Sequence, residues 1–264
     1  MYRVHPLLRT PPDDARLWRY TDLSQFLWLL SKESLYFAKV KEFGDRWEGA
    51  LPTGSIEAIR RRGDFLRLLE STPEDLALQI YKDGLKSEQG MYGVNCWHLN
   101  EVESVAMWKL YTRGNDGVAI QTTVGRLKTC LSREVRDVFI TPVNYLDHEA
   151  QHTEESVSFD ALIPLVTKRR SFGHESEVRV ILDRRYDDDR SAETELLSSF
   201  VGEIIAVDLP TLIENIVVAP DYPGWAIESL HDLVTRAGLA VKVETSDLLR
   251  LPEPNEPEWR LPRS

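Results

Sequence analysis

The stretch KRRSFGHESEVRVIL (168–182) sets Glu175 and Glu177 two residues apart, with Arg179 two further on and Lys168, Arg169 and Arg170 just upstream. Alternate residues of an extended chain face the same way. Glu175, Glu177 and Arg179 are therefore expected on one face of a strand whose other face is the apolar Val178, Val180 and Leu182. A charged face held in this way, with cations beside it, makes a site with both signs of charge. The plain alternative is a solvated strand entry whose glutamates face water.

Four other stretches carry residue types with chemical uses. WRYT (18–21) offers Arg19, whose planar fork suits a phosphate, next to Tyr20, a ring that can stack on a base, and Thr21, a hydroxyl. A surface arginine beside a core tyrosine would look the same. FGDRWEG (43–49) brings Asp45 and Glu48 into a glycine-flanked aromatic loop, as functional acids or as a cap and a surface acid. NCWHLNEVES (95–104) ends a strand with Trp97 and His98. A single histidine there is more often structural, and Cys96 with His98 lacks the second ligand pair of a zinc site. HEAQH (148–152) fits H-E-x-x-H, which on a helix would put His148 and His152 on one face with Glu149 as a base at zinc. Its flanks, Asp147 before and TEES after, are polar where such helices turn apolar, so a chance match in a polar loop is expected and no metal site is assigned. Walker A, G-x-G-x-x-G and G-x-S-x-G patterns are absent.

The elements that must position these residues follow from periodicity. Strands are expected at 17–21, 34–40, 92–99, 118–124, 137–145 and 178–182, then in IIAVDL, IENIVVAP and LAVKVETS. Helices are expected at 22–33, capped by Asp22 or Ser24, at 101–113, and in PGWAIESLHDLVTRAG, ended by Gly238. Residues 55–90 show helical spacing twice and read as a helical insertion. The pattern mixes strands and helices without strict alternation. It predicts an α+β fold: a Pro-rich N-terminal arm (1–15), one domain (16–250) with a mixed β-sheet system and flanking helices, and a Pro-rich tail (251–264).

Bulk properties bound the function. With 264 residues the chain can bury a core unaided. A net charge of −11 argues against a duplex-DNA binder that works by phosphate neutralisation, while leaving room for a local basic pocket. Two cysteines do not make a disulfide framework, and together with the lack of a signal-type apolar start they point to the cytoplasm. No apolar run is long enough to span a membrane.

Taken in order, LWRYTDLSQFLWLLSKESLYFAKVKEFGDRWEG, VNCWHLNEVESVAMWKLYTRGNDGVAIQTT and KRRSFGHESEVRVIL resemble a bacterial family known as domain of unknown function 2971, over roughly residues 17–182 without the insertion. More distantly, the strand RYT, the helix and strand through LLSKESLYF and the later ESEV resemble the ADP-ribosyltransferase plan. That resemblance implies an NAD-consuming transferase or glycohydrolase, of the kind found in bacterial toxins or phage defence, with NAD as substrate and the acceptor unknown. It implies Glu177 as the catalytic carboxylate, with Glu175 assisting. Arg19 would hold phosphate or ribose and Tyr20 would line the nicotinamide pocket. Thr21, Trp97, His98, Arg169 and Arg179 complete the expected nucleotide site. NCWHLN stands where that plan has a Ser-Thr-Ser type element. The assignment requires Arg19 and Glu177 on the same side of the sheet. The runner-up is a non-catalytic module that binds a nucleotide or a protein, in which Glu177 pairs with Arg19 or Arg169. A zinc hydrolase using HEAQH comes third.

Overall fold

A computed structural model describes residues 1–43, 45, 47–50, 53–112, 116–147, 161–185 and 202–250. HEAQH and the Pro-rich tail lie outside these residues. The fold is a mixed α+β arrangement: one large, branched sheet with helices on its faces, as the sequence pattern predicts.

Strand β1 (Arg16–Asp22) leads directly into helix α1 (Leu23–Lys32) and strand β2 (Ser34–Ala38). The switch from strand to helix occurs at Asp22, whose side chain accepts a hydrogen bond from the Gln25 amide and so satisfies one of the free N–H groups of the first turn. Phe26 and Leu29 fall on the buried side of α1. Helices α2 (Thr53–Arg60), α3 (Gly63–Leu69) and α4 (Glu74–Gln89) form the expected insertion around a small core of Ile59, Phe65 and Ala77. Next come β3 (Tyr92–Leu99), α5 (Val105–Tyr111), β4 (Gly117–Thr123), α6 (Val124–Cys130) and β5 (Val138–Pro142). The short β6 (Asn144–Leu146) pairs with β7 (Thr167–Arg169) after α7 (Leu162–Leu165). A 3-10 turn (Arg170–Glu175) precedes β8 (Glu177–Asp183). The chain continues through β9 (Gly202–Ala206), α8 (Leu209–Leu212), β10 (Asn215–Val218), α9 (Gly224–Arg236) and β11 (Val243–Thr245). Residues 1–3 lie along β5, where Tyr2 bridges Val138.

The sheet runs β11-β10-β4-β1-β3-β2-β9, with β8 and β5 branching from β3. The branch comes from how β3 divides its two edges. One edge pairs with β8 from Tyr92 to His98. The other meets β1 only at Leu17↔Leu99 and Trp18↔His98, and meets β2 only at Ala38↔Val94. Beyond Trp18, β1 pairs with β4 alone. The edge of β3 away from β8 therefore has no strand partner at residues 95–97 among the described residues, and a notch opens in the sheet between β1 and β2.

Candidate active site

The notch is the mouth of a cleft of about 200 Å³. Its walls include Arg19 and Tyr20 from β1, Tyr36 from β2, Trp97 and His98 from β3, and Glu175 and Glu177. A neighbouring cavity of about 550 Å³ shares Arg19, Gln25 and Tyr36 with it and adds Thr21, Trp28 and Ile204. Of the nine residues singled out in the sequence, six line the first cleft and Thr21 lines the second, with its hydroxyl 2.6 Å from Gln25 Oε1. Arg169 and Arg179 line neither.

Register decides which side each residue takes. Trp18, His98 and Glu177 stand opposite one another across three strands, so Tyr20, Cys96 and Arg179 share their face, the one covered by α5. Arg19 and Trp97 point to the other face, toward α1, with the Arg19 guanidinium 5.8 Å from the Trp97 ring. The same-side placement that the resemblance-based assignment required is therefore not met: Arg19 and Glu177 leave opposite faces of the sheet. They come from opposite faces and meet in one cleft because the β1–β3 ladder breaks between them. Nη1 of Arg19 is buried and has no hydrogen-bond partner among the described residues. Burial pulls the Arg19 pKa below its usual value.

The two glutamates also differ from expectation. Ser176 adopts a left-handed conformation (φ 38°), which ends the 3-10 turn and leaves Glu175 off the strand. Strand alternation therefore does not place Glu175; the turn does. Neither glutamate faces bulk water: Glu175 is 8 % exposed and Glu177 6 %. They sit in a buried ionic cluster. Arg179, fully buried, donates to Glu177 at 2.8 and 3.1 Å, to Glu48 at 2.9 and 3.1 Å, and to the Leu165 carbonyl. Lys168 reaches Glu175 at 2.6 Å, Glu48 at 3.2 Å and Glu177 at 3.3 Å. The partners of Glu177 are thus Arg179 and Lys168, not Arg19 or Arg169 as first supposed. Arg169 instead holds Asp45 at 3.0 Å and lies over the Trp47 ring, fixing these two residues beside the cluster.

These contacts set the charge states. Burial pushes the Glu177 carboxyl up, but Arg179 and Lys168 outweigh it and bring it down to about 2. Burial likewise works against the Lys168 ammonium, and the three glutamates overcome it and raise its pKa. Glu177 is consequently a fixed anion near neutrality. Its backbone N–H donates to the Tyr145 hydroxyl at 2.8 Å, which anchors the start of β8. Burial, reinforced by the Glu177 charge, raises the Cys96 thiol pKa, so it is a protonated neighbour and not a nucleophile. Burial lowers the His98 pKa against the hydrogen bond it makes to the Glu175 carbonyl.

Sequence reasoning set Lys168 beside the pair, as the structure shows, but missed Glu48 as its partner, Tyr145 as its anchor, and Tyr36 and Gln25 as walls. Glu48 was noted in an aromatic loop, but only tertiary contact ties it to Arg179. Among the described residues, no group of three or more His, Cys, Asp or Glu is arranged to hold a metal, and no helix is long and apolar enough to cross a membrane.

No family model matches the chain, and no curated protein matches it. Membership of the domain-of-unknown-function family 2971 is therefore not shown. Among solved structures, DarT of Thermus sp. 2.9 in complex with ADP-ribosylated ssDNA aligns over 90% of this chain and 96% of its own, at 10% identity and a TM-score of 0.34.

Proposed function

We propose that the cleft binds NAD and that the protein cleaves the nicotinamide–ribose bond, as an ADP-ribosyltransferase-like enzyme or an NAD glycohydrolase. The observation that carries this reading is the meeting of Glu177 and Arg19 in one aromatic-walled cleft: an ionised carboxylate on one wall and a buried guanidinium nitrogen without a partner on the other. The residues fit the substrate's chemistry. Arg19 can neutralise a pyrophosphate, and Tyr20 and Trp97 can stack on flat rings. The two adjoining cavities together suit a dinucleotide better than a single base. Breaking the glycosidic bond develops positive charge on the ribose, as in glycoside hydrolysis. An anion already fixed beside that carbon favours the transition state over the ground state.

The test is nicotinamide release from NAD by wild type and by Glu177→Gln at matched folding. Loss of release in a folded variant supports Glu177 as the carboxylate at the reacting carbon. The alternative, a nucleotide- or protein-binding module, is favoured by one specific observation: Glu177 is so fully engaged by Arg179 and Lys168 that its role can be structural. Under that reading wild type releases no nicotinamide, and NAD does not raise the melting temperature. Saturation at 100 times Kd would otherwise stabilise the protein by about 2.7 kcal/mol.

A further inference from the structure

We infer that His98 is the base that accepts the proton of the incoming acceptor, and that this acceptor is a neutral O–H or N–H group and not a guanidinium. The inference rests on the transfer chemistry proposed above and adds the identity of its second half.

Three observations carry it. First, Nδ1 of His98 lies 2.5 Å from the Glu175 carbonyl oxygen. A carbonyl only accepts, so Nδ1 holds the ring's proton and Nε2 presents a lone pair. Second, Nε2 is buried and has no hydrogen-bond partner among the described residues, although His98 is only 3 % exposed and lines the cleft. A buried acceptor left without a donor is uncommon and marks a place where a ligand's donor belongs. Third, His98 stands directly opposite Glu177, so the two side chains leave the same face about 5 Å apart at Cβ. The base therefore sits beside the carboxylate that faces the ribose.

The same geometry argues against a cationic acceptor. The carboxylates that would hold a guanidinium are already occupied, Glu175 by Lys168 at 2.6 Å and Glu177 by Arg179 at 2.8 Å. A third cation would meet both. The titratable groups around the imidazole are Glu175 and His174 from the 3-10 turn, Glu177 from β8, Lys168 from β7, Cys96 from its own strand, Tyr20 from β1 and Tyr111 from α5. Burial keeps the ring neutral, which a base requires. In the reaction the bond from C1′ of the ribose to the nicotinamide nitrogen breaks, and its electron pair leaves with the ring and cancels the pyridinium charge. The acceptor oxygen or nitrogen bonds to C1′. Its proton passes to Nε2 and then to solvent.

The test compares two small probes with wild type, His98→Gln and His98→Ala in the presence of NAD: methanol as a neutral nucleophile and agmatine as a guanidinium. Wild type is expected to form methyl ADP-ribose and no agmatine adduct. The variants are expected to lose about 10²- to 10⁴-fold in kcat for methanolysis, with KM for NAD changing far less than kcat and the acid limb of the pH profile abolished. Added imidazole is expected to restore rate to His98→Ala. His98→Gln keeps an N–H for the Glu175 carbonyl and carries the test if the alanine variant does not fold. The inference is overturned if a folded variant keeps wild-type kcat, if KM rises with kcat intact, or if agmatine captures ADP-ribose better than methanol. Those outcomes leave NAD cleavage standing. Absence of nicotinamide release from wild type removes the proposed function itself and this inference with it.

Discussion

Replacing Arg179 by methionine isolates the ionic cluster from the chemistry. Five charged groups meet there, three glutamates against Lys168 and Arg179, and Arg179 alone serves Glu177 and Glu48. The Glu177 carboxyl falls from its ordinary 4.5 to about 2. At about 1.36 kcal/mol per pK unit, that difference corresponds to about 3 kcal/mol of stability at neutral pH. Breaking a buried pair by removing one partner costs about 3–5 kcal/mol, because the remaining charge stays buried. Arg179→Met should therefore destabilise the protein by about 3–5 kcal/mol at pH 7. The sign of the pH effect follows from the depressed pKa. In wild type the Glu177 contribution is complete above 4.5 and is lost as pH falls from 4.5 toward 2. In the variant only Lys168 still pairs with the buried Glu177 carboxylate, so acid relieves a poorly compensated anion and stabilises the fold. The gap between the two proteins should narrow by more than about 1 kcal/mol between pH 7 and pH 3.5. Urea unfolding followed by the fluorescence of the buried Trp18, Trp97 and Trp108, at pH 7 and in steps down to pH 3.5, measures it. A cost below 1 kcal/mol at pH 7, or one that does not change with pH, would refute the reasoning.

Other expectations are narrower. Glu177→Gln should abolish nicotinamide release while leaving Lys168 and Arg179 their bonds to Glu48, so its melting temperature should fall less than that of Arg179→Met. His98→Gln should lower kcat far more than it changes KM for NAD, and should flatten the acid limb of the pH profile. Tyr145→Phe removes the acceptor of the Glu177 amide and should cost about 1–3 kcal/mol by chemical denaturation. Gly49→Ala should destabilise by more than about 1 kcal/mol in the same assay, since Gly49 has φ +72° and a Cβ there would lie 2.8 Å from the Gln89 side chain.

Much of the scaffold is legible from spacing. Asp22 announces the start of α1, Gly238 the end of α9, and the apolar rhythm of residues 92–99 gives β3. The misses have physical causes. Val124 prolongs a β-branched run, yet Thr123 caps a helix there by accepting from the Arg126 amide, so the strand stops one residue early and α6 begins. Ser176 gives no sign of its left-handed backbone, so period-two counting carries Glu175 onto a strand it never joins. The cluster around Glu177 depends on Glu48 and Lys168, whose approach is set by loop and sheet packing and not by local pattern. Above all, the notch depends on where β1 stops pairing with β3. That is a matter of register among distant strands, and alternation within any one of them is silent about it.

The two-position contact between β1 and β3 has a mechanical consequence. On one side lie β1, β4, β10 and β11, carrying Arg19; on the other lie β3, β8, β5, β2 and β9, carrying Glu177. Between β1 and β3 the sheet is joined at Leu17↔Leu99 and Trp18↔His98, and hydrogen bonds from Asn100 and Ser104 to β1 support the seam. The sheet is thus a pair of leaves on a narrow hinge, with the two ends of the cleft mounted on different leaves. A small change in the twist between them alters the Arg19–Glu177 span. Conversely, a molecule gripped at both ends acts as a clasp that fixes the angle between the leaves.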